Sequence, residues 1–259
     1  MTVTIPHHIG PYPPGHAPSA ERPLRLCARA LEADTMLLAH RHDWGQVTLA
    51  LSGVFRVRVP GSSWTVPPLR AIWIAPHVEH EVTVLEAATL CPLWVHAARA
   101  PFAGDECKVL SVSPLLRELV VALDHCAPGP REDLLAGLIL DELAGAATRP
   151  IRVPLPRDKR LQALCERLIT EPSNTLPLAR WAPQVGASER TLARLFEQEL
   201  GMSFGQWRQQ VRLAHAAPLI ARGMPMAQVA AELGYSSQSA FSAMFKKMYC
   251  SSPSEFFAA

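Results

Sequence analysis

The 259-residue sequence has little of several features that mark particular protein classes. Its six cysteines are scattered without a Cys-x-x-Cys pair, which argues against a structural zinc module or a disulfide framework. No stretch reaches the roughly 18 uninterrupted apolar residues of a membrane helix, and no basic segment leads into an apolar run at the N-terminus. We therefore expect a cytoplasmic protein with no membrane partner.

Charged residues are also few, at 19%, whereas hydrophobic residues make up 49%, a composition that can bury a core. At roughly 100–200 residues per domain, the length favours two domains. From Arg157 onward the chain carries twelve Lys and Arg against eight Asp and Glu, and nine of the ten histidines precede that residue. The basic half is therefore the candidate for a polyanionic partner, and the two halves are expected to differ in chemistry.

Sequence patterns change along the chain. Residues 1–22 are rich in Pro, Gly and His and predict a flexible arm. Short apolar or alternating runs between Leu24 and Val95 predict strands of a sandwich or small barrel, and helical periodicity follows. The predicted division is an arm over 1–22, a sheet domain over 23–112, a helical segment over 113–147, a linker over 148–157 and an all-helical domain over 158–259.

The helical segment is predicted as two helices, Pro114–Leu123 and Arg131–Ala147. Its apolar side is predicted to carry four leucines, namely Leu134, Leu138, Leu140 and Leu143. Such a side either packs on the sheet or holds two subunits together, and the two roles are compatible. Because homo-oligomers are most often twofold, we expect a homodimer formed around Leu134, Leu138 and Leu143.

A helix-turn-helix pattern begins near Leu178 in the basic half. Gly186 is the expected turn, and Ser188 is the expected N-cap of the second helix. Three apolar residues form the inner face of that helix: Leu192, Leu195 and Phe196. This order of short helix, glycine turn and capped helix is typical of DNA-binding proteins.

The same pattern returns about forty-eight positions later. Gly234 is the expected turn, Ser236 or Ser237 the cap, and Phe241 and Phe245 the inner face. A glycine between two helices is common, so one such pattern would be weak support. Two in tandem, joined by a helix-length segment, strongly predict a protein that reads double-stranded DNA.

The run from Trp181 to Phe256 resembles the double helix-turn-helix domain of AraC/XylS-type transcription regulators. The residues that carry the resemblance are Gly201–Phe204, Arg212-Leu213, Gly234-Tyr235, Ser239–Phe241, Phe245-Lys246 and Ser252–Ser254. It implies that each recognition helix enters a successive major groove of promoter DNA. Cys250 departs from the glycine usual in the family, and Pro218 predicts a kink in the connecting helix expected over Phe204–Arg222.

Outward-facing residues of the two recognition helices are the predicted DNA contacts. They are Ser188, Glu189, Arg190, Ala193 and Arg194 on the first helix, and Ser237, Gln238, Ser239, Ser242, Lys246 and Lys247 on the second. Arg190 and Arg194 suit guanine and Gln238 suits adenine, because these side chains form bidentate hydrogen bonds with the base edges. Lys246 and Lys247 are expected to contact phosphates.

The N-terminal half resembles the cupins, which are double-stranded β-helix barrels. His40, His42, Gln46 and Gly53 follow the order of the first cupin motif, and Pro76–His80 follows that of the second. Gln46 replaces the commoner glutamate, and His77 stands where the second motif usually has glycine.

The cupin resemblance implies a divalent metal site formed by His40, His42, Gln46 and His80. Because alternate residues of a strand share a face, we expect His40 and His42 on one strand face. Gln46 is expected beyond the bend, and His80 at the start of an adjoining strand. Imidazoles with an amide oxygen suit Zn, Ni, Cu or Fe(II).

These observations predict an α+β protein of two domains, with an N-terminal cupin barrel plus a helical pair and a C-terminal all-α tandem helix-turn-helix domain. Its expected function is transcription regulation, with the cupin domain sensing a divalent metal or a small molecule. Pro154–Asp158 and the block 205–210 resemble regulators of drug and small-molecule efflux genes. The alternatives are a metal-free sensor of an organic effector and a metal-dependent cupin enzyme carrying a DNA-binding domain. The enzyme is disfavoured because no additional acid/base pair accompanies the histidines.

Overall fold

A computed structural model describes residues 7–9, 17–68, 70–149, 152–249 and 252–253 of the chain. The chain forms two compact units, one of Met1–Val59 and Val66–Pro150, the other of Pro60–Thr65 and Ile151–Ala259. The two-domain α+β organisation is therefore confirmed. The sequence did not predict that six residues of the N-terminal half belong to the second unit. Cys250 and the residues after Pro253 lie outside the described part of the chain.

Eleven strands are present among the described residues. In chain order they are β1 His7–Ile9, β2 Leu24–Leu26, β3 Arg29–Leu31, β4 Thr35–His40, β5 Gly45–Val59, β6 Ser62–Val66, β7 Arg70–Ile74, β8 His80–Val95, β9 Lys108–Ser111, β10 Thr148–Arg149 and β11 Val153–Pro154. The strands predicted between Leu24 and Val95 are confirmed as β2 to β8. Their Val, Ile, Trp and Phe residues favour strands because branched and aromatic side chains pack well on a pleated surface.

The sheet of the first unit has the hydrogen-bonded order β1-β4-β8-β5-β7-β9-β10, and β2 and β3 also pair with β8. The pairings are antiparallel apart from β1, which runs parallel to β4. Strand pairing among the described residues follows an open path. The sheet-rich N-terminal domain is confirmed, but the closed cupin barrel that the resemblance implied is not.

The predicted flexible arm is wrong for residues His7–Ile9. These residues form β1, whose Cα partners on β4 are Thr35, Met36 and Leu37. A strand edge presents unpaired backbone donors and acceptors, so even a three-residue segment gains hydrogen bonds by adding to it. Residues 1–6 and 10–16 of the predicted arm lie outside the described part of the chain.

Two helices, α1 (Pro114–Asp124) and α2 (Pro130–Gly145), follow β9 and confirm the predicted helical pair. Each begins at a proline, whose missing N–H needs no partner in the first turn. The face of α2 that joins the core of the sheet carries Ala136, Ile139, Leu140 and Leu143.

The predicted leucine face of α2 is partly wrong. Leu143 is fully buried, whereas Leu134 and Leu138 are 71% and 52% exposed. Leu134 and Leu138 are separated by one turn, so they share one side of the helix. Their exposure shows that this side lies away from the buried face. Leu143 therefore packs inside the subunit and is not available to a partner, although the predicted dimer interface included it.

The second unit is helical. Its helices are α3 Lys159–Thr170, α4 Leu178–Trp181, α5 Glu189–Leu200, α6 Phe204–Ala221, α7 Met226–Glu232 and α8 Gln238–Tyr249, with a 3-10 helix over Ala182–Val185 between α4 and α5. Ser203 and Gln206 form a capping box at the start of α6. The connecting helix expected over Phe204–Arg222 is confirmed as α6, which continues through Pro218 to Ala221, and the kink at Pro218 stays a prediction. No helix in the described part of the chain is long and apolar enough to cross a membrane.

The segment predicted as a linker carries β10 and β11. Within the second unit, Val153 and Pro154 of β11 pair with Ser63 and Ser62 of β6. The indole N–H of Trp207, a fully buried residue of α6, donates to the carbonyl of Pro154 at 2.8 Å. The start of the helical unit is therefore anchored by backbone pairing as well as by its apolar core.

Candidate metal centre and nucleic-acid interface

Strand register brings the predicted histidines together in the first unit. His40 ends β4 and lies opposite His80, which begins β8 as predicted. The ring centroids of His40 and His80 are 4.3 Å apart, and that of His42 lies 5.1 Å from His80. One ring nitrogen of each histidine lies within 4.8 Å of the corresponding nitrogens of the other two. The three residues are thus a candidate metal centre.

The predicted common strand for His40 and His42 is wrong. β4 ends at His40, and His42 lies in the four-residue connection to β5. His42 lies outside both strands, so strand alternation does not apply to it. The centroids of the His40 and His42 rings nevertheless lie 6.0 Å apart.

All three histidines are oriented by the same kind of backbone contact. The Nδ1 atoms of His40, His42 and His80 lie 2.8, 2.7 and 2.9 Å from the carbonyl oxygens of residues 38, 44 and 78. A carbonyl only accepts hydrogen bonds, so each Nδ1 must carry the proton. Each neutral ring then keeps its lone pair on Nε2, the nitrogen available to a metal ion.

Gln46 completes the candidate centre from the second position of β5, as predicted. Its Nε2 donates to Thr48 Oγ1 at 2.8 Å, and its Oε1 accepts from the indole N–H of Trp94 at 3.1 Å. These two contacts fix the amide orientation, since a rotated amide would point its N–H groups at the indole donor. The Oε1 atom also lies 3.1 Å from Nε2 of His42.

Burial favours the neutral form of two imidazoles of the centre, those of His42 and His80. The pKa of His42 is lowered from its ordinary value, mainly because burial penalises the charged ring. Burial also lowers the pKa of His80 to about 3, with the neighbouring His40 and His42 adding to the effect. The buried Nε2 of His80 has no hydrogen-bond partner in the described part of the chain. A neutral ring with an unused lone pair is the form that binds metal ions.

The connection between β7 and β8 contacts the connection between β4 and β5, which carries His42. His77 adopts a left-handed backbone with φ of 64°, at the position where the cupin motif usually has glycine. Its backbone N–H donates to the carbonyl of His42 at 2.8 Å, and its exposed ring lies 3.3 Å from the carboxylate of Asp43. The His77 backbone therefore joins the two loops that carry the candidate ligands.

Sequence reasoning missed the residues that support these ligands. Trp94 lies directly opposite Gln46 in the β5–β8 pairing, and the ring of Trp44 stacks on that of His42 with centroids 5.0 Å apart. Trp44 lies two residues after His42, which gave a local signal for it. Trp94 had none, since its contact with Gln46 depends on a pairing across 48 residues.

The first helix-turn-helix motif has the predicted local structure. Gly186 is left-handed, with φ of 67°, and ends the 3-10 helix. Ser188 caps α5, its hydroxyl accepting from the backbone N–H of Thr191 at 3.1 Å. Leu192 and Phe196 are fully buried. The predicted contact residues are all exposed, namely Ser188, Glu189, Arg190, Ala193 and Arg194.

The second motif also follows the prediction. Gly234 has φ of 73°, and the hydroxyl of Ser237, one of the two candidate caps, accepts from the N–H of Ala240 at 3.1 Å. Phe241 and Phe245 are buried. Five of the predicted contact residues are exposed, namely Ser237, Gln238, Ser239, Lys246 and Lys247, and the sixth, Ser242, is half-buried.

Four arginines of the second unit form two contrasting pairs. Arg190 and Arg194 make no hydrogen bond or ion pair with other described residues, and both are exposed. In contrast, Arg208 and Arg212 on α6 donate to backbone carbonyls, and their guanidinium groups lie over aromatic rings. The first pair is available to an external anion, whereas the second pair is engaged within the unit.

Known proteins resemble this chain over different lengths. A family model described as a helix-turn-helix domain matches residues 181–259. The HTH-type transcriptional regulator NimR of Escherichia coli is 33% identical over 92% of this chain and 88% of that protein. The arabinose operon regulatory protein of Escherichia coli is 32% identical over 60% of this chain and 54% of that protein. The structure of ToxT from Vibrio cholerae is similar over 91% of this chain and 98% of that one, with 12% identity and a TM-score of 0.39.

The similarity to NimR spans both units, and the helix-turn-helix match falls on the two motifs described above. The named relatives are transcription regulators, so the alternative of a cupin enzyme with a DNA-binding domain is not supported. The chain belongs to the AraC/XylS family of DNA-binding transcription regulators.

Proposed function

We propose that this regulator senses a divalent transition metal ion through His40, His42, His80 and Gln46. The observation that carries the proposal is the contact between Nε2 of His42 and Oε1 of Gln46 at 3.1 Å. Both atoms present lone pairs when the Nδ1 of His42 carries the ring proton. Two acceptors at this distance repel one another unless a proton or a cation lies between them.

A cation fits this arrangement better than a proton. Adding a proton would make His42 an imidazolium, which its burial disfavours. A metal ion instead uses both lone pairs, together with those of His40 and His80, without charging any ring. The otherwise unpartnered Nε2 of His80 also supports this assignment, because a buried polar atom without a partner is costly.

The ligand set favours particular metals. Imidazole nitrogens suit Zn, Ni, Cu and Fe(II), and the amide oxygen adds a neutral, harder ligand. When bound, the ion would act as a Lewis acid holding the end of β4 and the starts of β5 and β8 together. Four protein ligands leave one or two positions for water or an effector if the ion takes five or six ligands.

Metal binding could alter DNA binding only through a difference in affinity between two arrangements of the protein. The candidate ligands come from separate strand ends, so ligation adds a constraint to the backbone pairing that joins these strands. We propose that this constraint is the regulatory signal, and that efflux genes are among the targets. Footprinting across the genome would identify those genes.

A metal-free pocket for an organic effector is the second candidate. It is favoured by Trp44, whose buried indole Nε1 has no hydrogen-bond partner in the described part of the chain. The indole lies parallel to the ring of His42, with an interplanar angle of 4°. An aromatic ligand with a hydrogen-bond acceptor would suit such a surface.

Elemental analysis separates the two candidates. The full chain is dialysed against Zn, Ni, Cu or Fe(II), freed of excess metal and analysed. We expect roughly one metal ion per chain, lost in His40→Ala, His42→Ala and His80→Ala. His125→Ala is the matched control, because His125 is an exposed histidine outside the centre, and it should retain the metal. A wild-type protein that stays metal-free with all four metals would favour the organic effector.

We also propose that α5 and α8 read successive major grooves of promoter DNA. This is supported by the exposed Arg190 and Arg194 and by the exposed end of α8 with Lys246 and Lys247. The connecting helix α6 has 18 residues, about 27 Å at 1.5 Å per residue, compared with about 34 Å for one turn of B-DNA. Binding that weakens steeply with salt would test the phosphate contacts.

The proposed homodimer uses the exposed side of α2. Leu134 and Leu138 are exposed large apolar residues separated by one helical turn, and Leu115 of α1 is also exposed, at 54%. Exposed apolar residues that form one contiguous patch are typical of surfaces that bind another protein. A second copy of this chain would give each DNA-binding unit a symmetric partner on the promoter.

A further inference from the structure

Two arginines of α6 hold the loop that precedes the first helix-turn-helix motif. Arg212 donates from Nε to the carbonyl of Pro172 at 3.0 Å and from Nη2 to that of Asn174 at 3.3 Å. Arg208, one turn earlier on α6, donates to the carbonyl of Leu176 at 3.1 Å. The two side chains thus bind alternate carbonyls of one short segment, which leads directly into α4.

Arg212 also contacts the second motif. Its guanidinium carbon lies 5.2 Å from the centre of the Tyr235 ring, in the turn between α7 and α8. Arg212 itself is buried, with 8% of its surface exposed. A buried guanidinium between carbonyl oxygens and an aromatic face is well accommodated, because its donors and its flat face are both used.

The turn of the second motif lies directly against the same loop. A Cβ atom added to Gly234 would lie 2.6 Å from the carbonyl oxygen of Ser173 and 3.1 Å from Nη2 of Arg212. Because Gly234 has no side chain, its backbone can lie close to the loop, whereas any other residue would push the turn and the loop apart. Its positive φ also favours glycine.

We infer that Arg212 is a positioning residue that fixes α8 relative to α5, so that the protein accepts one spacing between its two blocks of contacted bases. The loop before the first motif, the connecting helix and the turn of the second motif all meet at this one side chain. The inference rests on the proposed reading of successive grooves by α5 and α8. It concerns how the two motifs are held, which the exposed contact residues do not determine.

Weakening the contacts of Arg212 should change which spacings between the two base blocks the protein accepts. It should have less effect on how either motif alone binds DNA. Two linked modules bind with a high effective concentration only when their geometry matches both sites. A less constrained α8 would tolerate several spacings and gain less from the second contact. Lysine cannot replace Arg212 here, since it lacks the flat fork that bridges two carbonyls.

The test is selection from a library of random-sequence duplexes, using the full chain. Wild-type protein should recover two conserved base blocks at a single spacing. Arg212→Gln should recover the blocks at several spacings. Its affinity for the duplex that wild-type protein selects should be lower by roughly tenfold or more. Arg208→Gln is the matched control, because Arg208 contacts the loop and Phe204 but donates nothing to the second motif, and it should keep the single spacing.

A second variant covers the case in which Arg212→Gln does not fold. Tyr235→Leu removes the aromatic face and leaves the arginine and its carbonyl contacts in place, so it should also broaden the spacing. Retention of the single spacing by Tyr235→Leu, and by Arg212→Gln where it folds, would overturn the positioning role alone. Recovery of only one base block by wild-type protein would instead overturn the reading of two grooves, and the positioning role with it.

Discussion

The Nε2 atom of His42 lies 3.1 Å from the Oε1 atom of Gln46, and both atoms are hydrogen-bond acceptors when Nδ1 of His42 donates to Trp44. The indole of Trp94 prevents the amide from turning its N–H groups toward the ring. The two lone pairs therefore face each other in a partly buried position. This relationship links the strand register of the fold to the proposed metal site.

Gln46 should contribute less to metal affinity than the histidines do. Gln46→Ala removes one neutral oxygen but leaves three imidazoles, so we expect about one ion per chain bound more weakly. Trp94→Phe keeps the oxygen but releases its orientation, and such supporting partners are worth roughly tenfold to a hundredfold in affinity. Competition with a chromogenic chelator measures both effects. Unchanged affinity in both variants would exclude Gln46 as a ligand.

The metal-free protein should lose stability in acid through His80. The pKa of His80 is about 3 in the folded chain and 6.5 in an unfolded one, so only the unfolded state takes up a proton between these values. Stability then falls as the pH drops from about 6.5 toward 3, by on the order of a few kcal/mol, and is unaffected by this group at higher pH. Urea unfolding in the presence of a chelator measures the loss.

The control for this acid effect is His80→Gln, whose side chain does not titrate. We expect its stability to fall less than that of wild-type protein over the same pH range. His42 acts in the same direction, because burial also lowers its pKa, so some acid sensitivity should remain. Parallel curves for the two proteins would show that His80 is protonated in the folded state.

Arg190 and Arg194 should determine base preference. Replacing either with alanine removes a bidentate donor, which should cost about 1–3 kcal/mol at particular base pairs and relax specificity there. Affinities for a set of singly substituted duplexes measure this directly. Arg167→Ala is a suitable control, because Arg167 contacts Trp181 and Gln184 on the other elements of the first motif. If the variants lose the same affinity for cognate and random DNA, both arginines contact phosphates and not bases.

Leu138 should be required for the homodimer. Leu138→Asp places a charge at the centre of the exposed leucine face of α2 and should give monomers in sedimentation analysis. Leu38→Asp is a matched control, since Leu38 of β4 has nearly the same exposure, 50% against 52%. If Leu138→Asp keeps the wild-type mass and fold, the interface lies elsewhere.

Features set by neighbouring residues were predictable from the sequence. Gly186 and Ser188 form their turn and cap because left-handed backbone and N-terminal capping are decided within a few residues. The same holds for Gly234 and Ser237. These local signals were enough to find both motifs and the exposed faces of their second helices.

Features that depend on long-range pairing were not predictable. Trp94 reaches Gln46 only through the β5–β8 register, and Arg212 meets Tyr235 only after α6 has packed between the motifs. The leucine pattern of α2 could not tell which side faces the sheet, so Leu143 was grouped with Leu134 although only one of them is buried. Likewise, composition gave no sign that His7–Ile9 would pair with β4.

DNA affinity with and without metal tests the central claim most directly. The full chain is titrated against its selected duplex in the presence of a chelator, and again with the metal that elemental analysis identifies. For wild-type protein we predict a shift in affinity between the two conditions, by roughly the 5- to 150-fold typical of coupled sites. His80→Ala should bind with one affinity in both. The same affinity for wild-type protein with and without metal, at full occupancy of the site, would contradict metal sensing.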